Sequence, residues 1–321
     1  LASWDAAVDE IEYQAVGFGS HHWLARRGPE AWFVTVDDLD ARLLDDDDVR
    51  AAAQTRLTAA LATARTLRDA GHTWVVAPVR SLGGKVIEAI DERFVCALYP
   101  FVAGRTSSWG AYKDADQRRA VVELLAKLHR ADPGVALPAL ADDHVIPRRD
   151  SLEEAMNDAG GTWTGGPFAE SARKLLAQDL HAVAAVLERY DELVETVSRR
   201  ASPVVTHGEP HRGNVIVTED GPALIDWDTT RIAPPERDLW SLIVEDPKIR
   251  QFYEARAETT LDDSALRLYE LWWDLCEIAL FIHDFRQPHS RTDDTTTAWS
   301  GLTTHLDPSR WHDILGSSDR T

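Results

Sequence analysis

The chain has 321 residues and carries 54 Asp and Glu against 34 Lys and Arg, for a formal net charge of −20. At about 150 residues per domain this length holds two domains, and 44% hydrophobic with 27% charged residues is the composition of a folded globular chain. The acid excess argues against nucleic acid and anionic membranes as partners, since both need clustered Lys and Arg. Two cysteines give no disulfide framework, apolar runs such as 278–282 are too short to span a bilayer, and no signal peptide is read, so a cytoplasmic protein is expected.

In chain order, residues 12–36 read as two or three strands. They include a glycine-bearing turn at Val16–Ser20 and a β-rich run from Ala31 to Val36. Leu57, Leu61, Ala64 and Leu67 recur at helical spacing within 49–70, and Gly71 closes that helix. Residues 74–77, 85–87 and 94–99 read as further strands. Pro100 to Gly104 breaks the pattern. Beyond it, 115–129 and 169–200 read as long amphipathic helices, and the polar, Gly-rich 142–167 as a loop with little regular structure. Short β segments follow at 203–205, 215–217 and 223–225, then helices from Glu236 onward. The expected fold is α+β: a small β-rich N-terminal lobe (1–98), a hinge (99–104) and a larger, mostly helical C-terminal lobe (105–321). Up to Ala103 there are 16 acids and 10 bases, and beyond it 38 and 24, so the charge density is even and locates no cationic ligand.

The chemistry is concentrated in Val205-Thr206-His207-Gly208-Glu209-Pro210-His211-Arg212-Gly213-Asn214-Val215, followed by Leu224-Ile225-Asp226-Trp227-Asp228. Strand, polar loop, strand, turn and strand can aim several side chains at one point. Glu209, Asn214 and Asp226 supply hard oxygen donors suited to Mg²⁺. A carboxylate five residues before an Asn, with a later Asp, has the spacing of a kinase catalytic loop and its metal-binding Asp.

His207-Gly208-Glu209-x-His211-x-x-Asn214, Ile225-Asp226-Trp227-Asp228 and Arg237-Asp238-Leu239 together resemble the aminoglycoside phosphotransferase family, which shares a protein-kinase-like fold with choline and homoserine kinases. The Ile-Asp-Trp-Asp variant is most similar to its spectinomycin phosphotransferase branch. The resemblance implies ATP or GTP as co-substrate and Mg²⁺ as cofactor. It implies Glu209 as the group that takes or orients the acceptor proton, Asn214 and Asp226 as metal ligands, His207 as a brace for the loop and Asp238 as an anchor beneath it. His211 and Asp228 are assigned to support or contact of the substrate. Gly17, Gly19 and Ser20 are expected near the phosphates, and the hinge backbone at Tyr99 or Phe101 against the adenine edge, because Pro100 has no N–H.

Two departures stand out. Position 209 is Glu where the family has Asp, which shifts the carboxylate by roughly an ångström, enough to cost about a hundredfold in rate when uncorrected. The strand position where the family carries a phosphate-gripping Lys is Thr35, and the following helix offers Arg56, Arg65 and Arg68 but no Glu partner. Lys85 is the one lysine before residue 103 and is the expected replacement, with Arg26, Arg27, His21 and His22 as other donors. On the acceptor side, the aromatic stretch 271–281 places Trp272, Asp274 and Glu277 on a helix, fit for a cationic, ring-bearing molecule.

The implied activity is phosphoryl transfer to a hydroxyl of a small, polar, cationic acceptor, an aminoglycoside or aminocyclitol antibiotic being the leading class and resistance by inactivation the biology. The alternatives are a metabolic kinase of choline, homoserine or sugar type, and a pseudokinase-like ligand-binding protein. The oligomeric state is left open between monomer and homodimer.

Overall fold

The computed structural model describes residues 1–16, 19–132, 136–200 and 202–315. Strands β1 (Glu10–Gln14), β2 (Ser20–Arg27), β3 (Glu30–Asp38), β4 (Glu88–Ala89) and β5 (Phe94–Pro100) form one antiparallel sheet in the order β1-β2-β3-β5-β4. The register pairs Thr35 with His22 and Ala97, and Asp37 with Ser20 and Val95. Side chains two apart on a strand share a face. Phe33, Thr35 and Asp37 therefore line one side of β3. Val34 and Val36 line the other, against Ala25, Leu98, Trp4 and Trp23. Helix α1 (Arg50–Asp69) buries Ala53, Leu57, Leu61, Ala64 and Leu67, the stripe read from the sequence.

Residues 74–77 and 85–87 were expected as strands. The first is irregular backbone held through Val75–Leu224 bridging, and the second leads into the two-residue β4. Helix α2 (Ala115–His129) matches its expected span. The expected loop 142–167 contains a helix, α3 (Arg149–Asn157), which buries Leu152 and Ala155. Its apolar residues are too few and too widely set among Arg, Asp and Glu to announce it by periodicity.

Helix α4 (Ala169–Ser198) is followed by β6 (Val204–Thr206), β7 (Val215–Thr218), β8 (Gly221–Leu224) and β9 (Arg231–Ala233). β7 and β8 form a hairpin, and β6 pairs with β9. Then come α5 (Glu236–Glu245), α6 (Lys248–Ala257), α7 (Asp263–Arg286), α8 (Asp293–His305) and α9 (His312–Leu315).

Contacts divide the chain into two units that do not follow the expected lobe boundaries. The first comprises 1–43, 48–142 and 202–261; the second comprises 44–47, 143–201 and 262–321. The segment 204–233 falls in the first because its strands bond to the N-terminal part of the chain. Val76 N–H donates to Leu224 O at 3.0 Å, and Arg105 exchanges backbone bonds with Val217 at 3.0 and 2.9 Å. Gly104 makes the second contact possible, since a Cβ there would lie 2.4 Å from Ile216 Cγ2 and 2.9 Å from Val217 O. The second unit has its own core, in which Leu176, Val183, Val186 and Tyr190 of α4 join Leu268, Leu271, Leu275 and Ile282 of α7.

Candidate active site

The segment after β6 turns on Gly208, at φ +105°. A Cβ there would stand 2.5 Å from Thr229 Oγ1 and 2.6 Å from Arg237 Nη1, so both conformation and space demand glycine. Asp238, in the first turn of α5, accepts from His207 N–H at 2.8 Å and Gly208 N–H at 2.6 Å. His129, at the end of α2, donates Nε2–H to the same carboxylate at 3.0 Å and takes the Tyr253 hydroxyl on Nδ1 at 2.7 Å. Burial works against the Asp238 charge, but these bonds and the fields of His129, His207 and Arg237 hold its carboxyl below the usual range.

His207 is fully buried, edge-on to Trp227 with ring centroids 4.6 Å apart. Its Nε2 donates to Ile225 O at 2.8 Å and its Nδ1 accepts from Glu209 N–H at 3.3 Å, which fixes the tautomer. Burial lowers its pKa, so the ring is neutral. It ties the loop at 207–214 to the end of the strand just before Asp226.

Three expected groups meet around this frame. The Glu209 side chain is about a third exposed (31%), and His211 Nε2 lies 3.8 Å from its Oε2. His211 accepts from Gly213 N–H on Nδ1 at 3.1 Å, and burial first, then the His207 ring, lowers its pKa to about 4. The ring is neutral, and its Nε2 meets the Asn214 side-chain nitrogen at 3.3 Å, nearer than the Glu209 carboxylate. Asn214 Nδ2 donates to Glu209 O at 3.0 Å, which leaves its Oδ1 as the side-chain atom with the chemistry to ligate a cation. Pro210, whose carbonyl accepts the Tyr112 hydroxyl at 2.9 Å, is buried and pins the loop beside the longer Glu side chain.

Asp226 stands at φ +65°, a conformation uncommon for residues other than glycine, though Asp is among those that adopt it. The charge of Asp228, then burial, then Glu209 raise its carboxyl well above the usual carboxylate range. Asp228 is held below that range against its burial by Arg42, whose Nη2 donates to Oδ2 at 2.6 Å. Arg42 ends the 3-10 turn Leu39–Arg42 and also bonds Asp37 Oδ1, at 2.6 Å from Nη2 and 3.1 Å from Nε. Ser20 Oγ donates to Asp37 at 2.6 Å and accepts from Arg42 at 3.4 Å. Crowded carboxylates beside an amide oxygen fit a hard divalent cation. Among the described residues no cluster of three His, Cys, Asp or Glu side chains encloses a metal by itself. That is normal for Mg²⁺, which takes one or two carboxylates and completes its shell with phosphate and water.

Other expected residues lie elsewhere. Lys85 is an exposed lysine (67%) paired with Glu88 at 3.3 Å, beside the edge strand β4, and does not join the Asp37–Asp226–Asp228 group. The Phe101 N–H donates to Ala31 O at 3.2 Å, so it extends the sheet instead of offering a free hinge donor. The Tyr99 ring shares the Phe33–Asp37 face, and burial followed by Asp37, Asp226 and Asp228 keeps its hydroxyl protonated. Gly19 is at φ +85° in its turn; Gly17 lies outside the described residues.

Within the second unit Asp274 is 1% exposed and accepts from His305 at 2.9 Å, Arg310 at 2.8 and 3.0 Å and Trp311 at 3.1 Å. It is a buried anchor, which corrects its expected role in acceptor binding. Trp272 donates its indole N–H to Val145 O at 2.9 Å, a packing contact inside the same unit. Glu277 is half-buried, and burial raises its pKa.

Sequence reasoning missed Arg42, Asp37 and Trp109. Trp109 is 65% exposed and edge-on to His211 at 6.2 Å between centroids. The available signal for Arg42 was the vacancy itself: a strand lacking its cation needs one from elsewhere.

Comparison with known proteins gives this geometry a context. The model of the phosphotransferase enzyme family matches residues 17–275. Protein StrN of Streptomyces griseus is 28% identical over 313 residues, 94% of this chain and 88% of StrN. Spectinomycin phosphotransferase APH(9)-Ia, solved with ADP and spectinomycin, superimposes with a TM-score of 0.72 at 16% identity, covering 95% of this chain and 92% of that one. Choline kinase LicA from Streptococcus pneumoniae gives 0.57 at 14% identity, with 93% of each chain covered. These structural likenesses identify a kinase-like fold.

Proposed function

We propose, for a chain that belongs to the phosphotransferase enzyme family, transfer of the γ-phosphoryl group of ATP or GTP to a hydroxyl of a small, polar, cationic acceptor. The class favoured is an aminoglycoside or aminocyclitol antibiotic. The observation that carries this reading is the convergence of Glu209, Asn214 and Asp226 on one frame held by His207 and Asp238. The likeness to StrN along most of both chains, and the fold shared with a kinase solved with ADP and spectinomycin, support it.

In this reading Glu209 accepts the acceptor hydroxyl proton as that oxygen bonds the γ-phosphorus, while the bond from phosphorus to the β-bridging oxygen breaks and the nucleoside diphosphate leaves. His211, with a neutral ring, lies 3.8 Å from the Glu209 carboxylate and 3.3 Å from the Asn214 side-chain nitrogen, so it lines the same loop. Asn214 Oδ1 and Asp226 would hold Mg²⁺, which would supply charge neutralisation when bound. The exposed Trp109 indole beside the loop offers an aromatic face to a cationic ring.

Glu209→Gln keeps the shape but removes the proton acceptor. The expected result is a fall in kcat of at least a hundredfold, by the usual weight of a general base, with nucleotide affinity within about threefold of wild type. The readout is phosphate transfer to a panel of aminocyclitols and aminoglycosides alongside nucleotide titration. Retained turnover would refute the role of Glu209, and transfer to choline or a sugar alone would move the protein to the metabolic reading that the choline kinase likeness favours. Thr35 in place of the strand lysine favours the third reading, ligand binding without transfer; nucleotide binding with no transfer to any acceptor would select it.

A further inference from the structure

Thr35 leaves the phosphate site without the lysine that a kinase-like strand normally extends over it, yet a cation reaches the same ground. We propose that Arg42 grips the nucleotide phosphates in place of that lysine, with Asp37 as its anchoring carboxylate. This inference rests on the nucleotide-dependent transferase reading above.

The argument begins with the strand. Thr35 and Asp37 are two residues apart on β3 and share a face, the one that also carries Ser20 and His22 from β2 and Tyr99 from β5. Arg42 comes back onto that face from the turn after β3 and meets Asp37 with two nitrogens. Asp37 is almost wholly buried (3% exposed) and is further fixed by Ser20, so the carboxylate is a rigid support. The guanidinium then extends to Asp228, two residues beyond Asp226. A cation anchored by an N-terminal carboxylate and reaching the carboxylate pair at the end of β8 reproduces the electrostatic task of the missing lysine and its acidic partner.

The chemistry of the side chain completes the case. Arginine presents five N–H donors in a planar fork that matches phosphate oxygens. Here Nε and Nη2 are committed to carboxylates, whereas Nη1 makes no hydrogen bond among the described residues. Its two donors remain for a phosphate oxygen without the anchor to Asp37 being given up. The swap also explains why the expected helix Glu is absent: the counter-charge comes from the strand itself. Arg50 and Arg56, in the first two turns of α1, are already paired with Asp40 and Asp48.

The test compares a nucleoside diphosphate with its nucleoside, using MgADP and adenosine or MgGDP and guanosine, whichever the wild-type protein binds, in titration calorimetry. Arg42→Ala is expected to weaken diphosphate binding at least tenfold and nucleoside binding less than twofold. The double variant Thr35→Lys with Arg42→Ala, which returns a cation to the strand, is expected to recover most of the loss. A folded Arg42→Ala protein that binds the diphosphate within twofold of wild type would overturn the proposal, and so would a folded double variant with no recovery. If Arg42→Ala loses its circular dichroism signature, Arg42→Lys takes its place. It keeps the charge but lacks the fork, and an unchanged ratio of diphosphate to nucleoside affinity there overturns the proposal as well. A wild-type protein that binds neither ligand defeats the transferase reading itself, an outcome distinct from failure at Arg42 alone.

Discussion

Gly208 shows how much the site depends on single positions. Its φ of +105° and the 2.5 Å approach to Thr229 Oγ1 leave a methyl group nowhere to go. Thr229 Oγ1 donates to His207 O at 3.0 Å and Arg237 bonds Thr206 and Thr229, so neither neighbour can retreat without unfastening the loop. Gly208→Ala is expected to destabilise the protein by about 1–3 kcal/mol and to lower transfer activity by more than tenfold. Thermal unfolding and a transfer assay read both, and a variant with wild-type melting and turnover would show that the crowding is relieved in solution. His207 and Asp238 were legible as family positions in the sequence, but the partner that fixes Asp238, His129, lies 109 residues away and has no local signature.

At the scale of elements, three helices converge on the loop through one buried polar chain. Tyr253 of α6 bonds His129 of α2, His129 bonds Asp238 of α5, and Asp238 receives the two backbone N–H groups after β6. Asp238→Asn replaces an acceptor-only group by one that places donors against donors, and should cost about 1.5–3 kcal/mol at neutral pH. The sign of the pH dependence follows from the lowered Asp238 pKa. The stabilisation is fully present above the unfolded carboxyl pKa of about 3.9 and is lost as pH falls through the lower folded value. The gap between wild type and Asp238→Asn should therefore be constant above about pH 5 and shrink below pH 4 in denaturant titrations. A gap that stays constant into acid would mean that the carboxylate charge is not what holds the loop.

For the whole molecule, the division into two units places the proposed nucleotide and metal contacts Ser20, Arg42, Tyr99, Asn214 and Asp226 within the first. A ligand that binds the folded state protects the backbone it touches. Hydrogen exchange with and without Mg²⁺ and nucleotide should then slow amides around 37–43, 99–105 and 207–228. Protection confined to 143–201 and 262–315 would place the nucleotide elsewhere. The net charge of −20 carries no such positional information, since acids outnumber bases throughout the chain.

The sequence by itself determined the candidate constellation around His207–Asn214 and Asp226–Asp228 and the larger elements. His207 to Asn214 and Asp226 to Asp228 are close in the chain, so their spacing encodes their meeting. Helices α1, α2 and α4 repeat their apolar residues at a period that only a helix can bury on one side. Tertiary structure alone decided the rest. Asp274 looked like an open carboxylate on an aromatic helix until His305, Arg310 and Trp311 were seen to enclose it. Lys85 looked like the replacement cation because it was the one lysine nearby, whereas Arg42 reaches Asp228 across 186 residues of chain. An ion pair is a matter of distance in space, and no periodicity or spacing records a contact made between segments so far apart in sequence.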